Sequence, residues 1–112
     1  MDDCLFCKIV AGEIPCEQIY SDALVLAFND INPVADTHIL IIPRQHIRSL
    51  NDLRPDNDAV LAHMMQVLPK IAQQQGLDNG YRTIINTEKG GGQVIFHLHI
   101  HLLAGKNLAG FH

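Results

Sequence analysis

Apolar and polar positions along this chain follow two periods, and the switches between them divide it into elements. The clearest run is Phe96-His97-Leu98-His99-Ile100-His101-Leu102-Leu103, where histidines and aliphatics alternate. Successive side chains of a strand point to opposite faces. The run therefore predicts a strand with His97, His99 and His101 on one face and Leu98, Ile100 and Leu102 packed into a core on the other. Neighbouring histidines on that face would lie about 6.5–7 Å apart at Cα, close enough for one ligand to touch two. His38-Ile39-Leu40-Ile41-Ile42-Pro43 is continuously aliphatic after its histidine, the mark of a central strand covered on both faces. Shorter runs predict strands over Glu17 to Tyr20, Leu24 to Phe28 and Tyr81 to Thr87.

The helical period is carried by Val60, Leu61, Met64, Leu68, Ile71 and Ala72. Pro55 suits the first position of that helix, Asp56 and Asp58 complement its dipole, and Gly76 ends it. Pro69 falls inside the stripe and is expected to kink or break the helix. Met64-Met65 reads as core or interface packing. Leu5 to Ala11 predicts a short helix stopped by Gly12, and Ser49 to Leu53 a brief helical turn. Asn29 to Pro33 and Lys89 to Gln93 are loops. The pattern is α+β, without internal repeats or a linker, and residues 1–112 read as one domain.

Composition narrows the classes. With 47% apolar residues in 112, the chain can bury a real core. A net charge of −4, with no dense Lys/Arg run, argues against a protein held to nucleic acid or anionic lipid by bulk charge. No apolar stretch is long enough to span a bilayer. The start Met1-Asp2-Asp3-Cys4 lacks the basic and apolar regions of a signal peptide. Three cysteines disfavour a full disulfide framework, so the expected compartment is the cytoplasm.

A row of imidazoles backed by aliphatics suits proton transfer, anion binding, nucleophilic attack or metal ligation, because histidine titrates near neutral pH. Gly90-Gly91-Gly92 leads straight into it, and a glycine run lets backbone N–H groups approach an anion. Together they suggest a phosphate held beside imidazoles. Cys4-Leu5-Phe6-Cys7 is a CxxC pair, open between redox work, half a zinc site with His46 and His97 among the possible partners, and two unrelated thiols. Cys16 reads as a plain thiol.

His97-Leu98-His99-Ile100-His101-Leu102-Leu103 resembles the hallmark of the histidine triad (HIT) superfamily. Other segments extend the similarity over nearly the whole chain, most closely to its Hint-like, nucleotide-binding branch. They are Phe6-Cys7-Lys8-Ile9, Gly12-Glu13-Ile14-Pro15, Ala27-Phe28-Asn29-Asp30-Ile31-Asn32-Pro33, Thr37 to Pro43 with His46, and Gly91-Gly92-Gln93. The resemblance implies a HIT-like fold: an antiparallel sheet of about five strands, a short N-terminal helix, one longer helix, and pairing into a homodimer.

It also implies hydrolysis at the α-phosphorus of purine nucleoside phosphoramidates, giving a nucleoside monophosphate and an amine, with no cofactor needed for the chemical step. His99 matches the nucleophile that forms a nucleotidyl-histidine intermediate. His101 matches the contact to the phosphoryl oxygens, and His97 and His38 complete the histidine network. Gln93 matches a residue near the leaving group, Asn86 and Gly92 phosphate-side contacts, and Asp30 the partner of the ribose hydroxyls. Phe6, Ile9, Phe28 and Ile31 match the slot for the base. Bacterial relatives with the same CxxC imply a structural zinc ion on Cys4, Cys7, His46 and His97.

The chain departs from the family's pattern at Val94, where some relatives carry a serine that donates to the phosphate. It also departs at Gly110-Phe111-His112, where relatives often have a Trp-Pro tail. Two alternatives stay within the superfamily: a dinucleoside polyphosphate hydrolase, and a nucleotide-binding regulatory protein with little turnover. A third is a purely metal-binding histidine strand, which usually needs a carboxylate ligand as well.

Overall fold

The computed structural model describes residues 3–106, 108 and 110; Phe111 and His112 of the tail lie outside them. The elements in chain order are α1 (Leu5–Val10), β1 (Gln18–Ser21), β2 (Val25–Asn29), β3 (Thr37–Pro43), α2 (Asp58–Gln74), β4 (Arg82–Ile84) and β5 (Ile100–Ala104). The five strands form one antiparallel sheet in the order β1-β2-β3-β5-β4. This is the α+β architecture expected from the sequence, with its short and its longer helix.

The central place of β3 follows from its composition. Ile39 and Ile41 face α2, alongside Val25, Ala27, Ile100 and Leu102, and meet Val60, Met64, Val67, Leu68 and Ile71 of the helix. Each such buried aliphatic contributes about 1.5–3 kcal/mol relative to exposure. Leu40 and Ile42 face the other way and pack with Leu26, Phe28 and Phe6 of α1. That second face is only partly covered, since α1 spans six residues. The uncovered remainder forms the floor of a cleft.

Local chemistry sets the boundaries. The thiol of Cys4 caps α1 by accepting the Cys7 N–H at 3.3 Å. α2 ends in a Schellman turn: Leu77 N–H donates to the Ala72 carbonyl at 2.9 Å and Gly76 N–H to that of Gln73 at 3.2 Å, with Gly76 at φ +71°. Between β1 and β2, Asp22 takes the N–H groups of Leu24 and Val25 on one oxygen and Tyr20 Oη–H on the other.

Several expectations need correction. Pro55 begins a separate 3₁₀ turn, Pro55–Asn57, and α2 starts at Asp58. Pro69 does not break α2; it lies on the exposed face, where water can satisfy the carbonyl that its missing N–H frees. β4 stops at Ile84, short of Thr87, and the regular histidine strand starts only at Ile100. The last correction has a physical cause. β3 pairs with β5 as far as Ile41–Ile100 and ends at Pro43, which has no N–H to offer a ladder. The chain bends through residues 95–97 instead.

Candidate functional site

The bend splits the three histidines. Leu98, Ile100 and Leu102 all enter the core as the alternation predicts. On the other side, His99 and His101 border a cleft, while the ring of His97, fully buried, is turned away from it. The expectation that all three share one face is therefore corrected.

Backbone groups fix the protonation pattern of His97, His99 and His38, and His38 in turn fixes that of His101. His99 Nδ1–H donates to the His97 carbonyl at 2.7 Å, so its lone pair sits on Nε2. His97 Nε2–H donates to the Pro43 carbonyl at 2.8 Å, which leaves the lone pair of His97 on Nδ1. His38 Nδ1 accepts the Val34 N–H at 3.2 Å, so the neutral ring carries its proton on Nε2. That proton faces His101 Nδ1 at 2.9 Å. His101 Nδ1 is thereby an acceptor, and its own proton sits on Nε2. His101 Nε2 is buried and has no hydrogen-bond partner among the described residues. A buried donor left unpaired costs free energy, so it marks a place where an acceptor belongs.

Burial also holds His97, His99 and His101 neutral. It lowers His97 to about 4. His101 falls to about 4 through burial, reinforced by His99 and His38. His99 is lowered from its usual value of 6.5, again by burial.

The cleft has a volume of about 470 Å³, within the range of small-ligand sites. Phe6, Ile9, Phe28 and Ile31 form an apolar wall, with Asp30 beside them and His38, His99 and His101 at the base. Asn86, Gly92 and the 80% exposed Val94 close another side. Leu5, Ile14, Cys16 and Ile95 also line it; nothing in the periodicity of the sequence marked them. Among the described residues that line it, Asp30 is the one formally charged side chain, with no Lys or Arg. Asp30 accepts the Asn32 N–H on Oδ1 and holds Oδ2 at 3.4 Å from His38 Nε2.

The glycine loop is not the open amide nest its composition suggests. Gly91 N–H donates to the Glu88 carbonyl at 3.0 Å and Gly92 N–H to that of Lys89 at 3.1 Å, within a 3₁₀ turn. Gln93 is buried outside the cleft wall. Its Oε1 accepts the Glu88 N–H at 2.8 Å, and its Nε2 donates to the carbonyls of Arg48 and Ile95. Glu88 sits at φ +62°, rare for a residue with a side chain, and its carboxylate takes Ser49 Oγ–H at 2.6 Å and the Arg48 guanidinium.

Behind the cleft, Cys4, Cys7, His46 and His97 converge. His97 Nδ1 lies 3.4 Å from Cys4 Sγ and 3.5 Å from Cys7 Sγ, and His46 Nδ1 lies 3.2 Å from Cys7 Sγ. Tetrahedral zinc, with bonds of about 2.3 Å to sulfur and 2.0 Å to nitrogen, sets sulfur and nitrogen ligands about 3.5 Å apart. The donor set and its spacing fit such an ion. The Pro43 carbonyl on the far nitrogen of His97 is the kind of partner that orients a ligating imidazole. All three cysteines are free thiols, and Cys7 is raised to about 11 by burial and by Cys4 beside it. A second group, Asp30, His38 and His101, also has donor atoms within 4.8 Å. There the Val34-to-His38-to-His101 hydrogen-bond chain uses both His38 nitrogens, which leaves that ring no lone pair for a metal.

Comparison with known proteins decides the family. Residues 11–108 match the sequence profile of the HIT domain. The chain belongs to the HIT family. HitA of Neisseria gonorrhoeae is 50% identical over 103 residues, covering 92% of this chain and 96% of that protein. The purine nucleoside phosphoramidase of Escherichia coli K12 is 46% identical over 108 residues, covering 96% and 91%. A histidine triad protein from Clostridium difficile superposes with a TM-score of 0.94 at 47% identity, over 100% of this chain and 98% of that one. A HIT family hydrolase from Legionella pneumophila gives 0.91 at 46% identity, over 96% of each. The chain is accordingly a HIT-type hydrolase of the Hint-like branch. No helix of the described residues is long and apolar enough to cross a membrane.

Proposed function

We propose that this HIT protein hydrolyses purine nucleoside phosphoramidates at the α-phosphorus through a nucleotidyl-histidine on His99. The observation that carries the reading is the opposed pair of fixed rings: a neutral His99 with its lone pair on Nε2, and a His101 whose Nε2–H lacks an acceptor. A lone pair can attack phosphorus without prior deprotonation. An unpaired buried donor beside it stabilises charge developing on a phosphoryl oxygen. The His99–phosphorus bond forms as the bond to the amine breaks, and the leaving nitrogen takes a proton from solvent water, which is returned when the hydrolytic water gives up its own proton in the second step. Water then displaces His99, yielding the nucleoside monophosphate.

The remaining roles follow the cleft wall. Phe6, Ile9, Phe28 and Ile31 hold the base, Asp30 accepts from the ribose hydroxyls, and Asn86 and Gly92 flank the phosphate. Gln93 acts from behind, holding the loop with its side chain already committed to backbone groups. His97 supplies the carbonyl that sets the tautomer of His99. The charge of the cleft favours phosphoramidates over dinucleoside polyphosphates: a wall with one carboxylate and no Lys or Arg among its described residues suits a substrate of low negative charge.

A structural zinc ion on Cys4, Cys7, His46 and His97 belongs to the same reading; it would tie the N-terminal segment to the start of the histidine run. So do a homodimer, and residence in the reducing cytoplasm, which suits three free thiols.

The test is turnover of an adenosine 5′-phosphoramidate by wild type and His99→Ala. Wild type should turn over, and rapid quench should trap the labelled nucleotide on protein through an acid-labile bond. His99→Ala should keep its fold and lose both. Diadenosine polyphosphate run in parallel should be the poorer substrate. A variant with more than about a tenth of wild-type turnover would remove His99 from the role, since loss of a nucleophile costs far more than tenfold.

A further inference from the structure

The cysteine–histidine cluster and the nucleotide cleft share two pieces of structure. The first is α1. Cys4 and Cys7 bracket Leu5 and Phe6, and both of these line the cleft. The Phe6 ring meets His99 at 5.2 Å between centroids, Phe28 at 5.5 Å and His97 at 5.9 Å, edge to face in each case. The second is His97, whose ring nitrogen points at the two thiols while its carbonyl accepts from His99. A helix of six residues has little stability of its own. Its position over the cleft depends on Phe6, Ile9 and Val10, which pack against the sheet, and on whatever gathers the two thiols.

We propose that Cys4, Cys7, His46 and His97 are positioning residues for the nucleotide site, so that zinc and a nucleoside monophosphate bind with positive cooperativity. The inference rests on the nucleotide reading above. An ion on the cluster fixes α1 over the cleft and fixes the His97 peptide that orients His99. The ordering cost is then met once rather than by the nucleotide alone. Linkage makes the effect reciprocal: the factor by which zinc tightens the nucleotide equals the factor by which the nucleotide tightens zinc.

The experiment is calorimetric titration of the whole chain with AMP, zinc-loaded and chelator-stripped, with circular dichroism on both forms. A second measurement follows the rate at which the loaded protein loses zinc to a chromogenic chelator, with and without saturating AMP. We expect AMP to bind the loaded form more tightly by about five- to tenfold or more and to slow zinc loss. Phe6→Leu, which leaves all four ligands in place, should still bind zinc but show a smaller effect of AMP on zinc loss. If the stripped form does not fold, the zinc-loss measurement on wild type decides: AMP that leaves the rate of zinc loss unchanged overturns the proposal, while equal slowing in wild type and Phe6→Leu overturns the route through α1 and assigns the coupling to the His97 peptide. Equal AMP affinity in two folded forms overturns the coupling while leaving the nucleotide reading intact. No AMP binding to the loaded protein overturns both.

Discussion

The sharpest consequence of the hydrogen-bond chain concerns His38, which need not touch substrate to matter. His38→Ala removes the donor 2.9 Å from His101 Nδ1. In the competent tautomer of His101 that nitrogen is an acceptor, and leaving a buried acceptor unpaired costs about 1–3 kcal/mol. The tautomer with its proton on Nδ1 is penalised less, because that N–H can turn to the Asp30 carboxylate, whose oxygen lies within 4.8 Å of the pair, whereas the lone pair of the competent tautomer finds no donor there among the described residues. Each 1.36 kcal/mol is a factor of ten, so kcat should fall by about 5- to 150-fold. KM should change less, because the acceptor that selects this tautomer gains most of its charge in the transition state. The assay is a double-mutant cycle on an adenosine phosphoramidate with His38→Ala, His101→Ala and the pair, plus melting curves for each. Once His101 is gone, removing His38 should cost little further. If His38→Ala costs the same with and without His101, the two rings are not coupled and the relay is wrong.

Burial lowers His99 below 6.5, so the neutral form that the proposed nucleophile needs persists to lower pH than in a free imidazole. The acid limb of kcat/KM should therefore have its midpoint below 6.5, and a midpoint at or above that value contradicts the assignment. Asp30→Ala should weaken ribonucleotide substrates by about 1–3 kcal/mol in kcat/KM and 2′,3′-dideoxy analogues much less; equal losses would reduce Asp30 to a turn residue. Gly105 sits at φ +129°, and a Cβ there would come within 2.5 Å of Asp36 Oδ2. Gly105→Ala should cost about 1–3 kcal/mol through backbone strain, with a further loss from displacing Asp36, and lower Tm by roughly 4 °C or more. An unchanged melting curve would contradict both the backbone strain and the clash with Asp36.

Much of this site was legible in the sequence because strand and helix periods report burial directly. Leu98, Ile100 and Leu102 enter the core as the alternation requires, and the Val60-to-Ala72 stripe faces the sheet. The segment similarity also anticipated most of the cleft wall, from Phe6 to His101. What stayed hidden is backbone chemistry. The Val34 N–H that sets His38, and the Pro43 carbonyl that sets His97, leave no side-chain signature. The glycine loop misled for the same reason. Its composition permits an anion nest, but the turn spends the Gly91 and Gly92 amides on its own carbonyls.

The treatment of His97 shows what the bend achieves. A strand kept regular through residue 97 would put a third imidazole on the cleft face. It would also add another ring to a cluster where His99 and His38 already depress His101. By bending at residues 95–97 the chain removes that ring and keeps the peptide. The ring goes to the thiols, where a lone pair on Nδ1 is the form a metal needs. The carbonyl stays beneath His99, where an acceptor is needed. Pro43 serves both arrangements, since its missing N–H ends the ladder and its carbonyl takes the His97 proton. One residue thus belongs to two centres through different atoms. On the zinc site and the His99 role proposed above, replacing its side chain should disturb metal binding first and reach His99 only through the peptide they share.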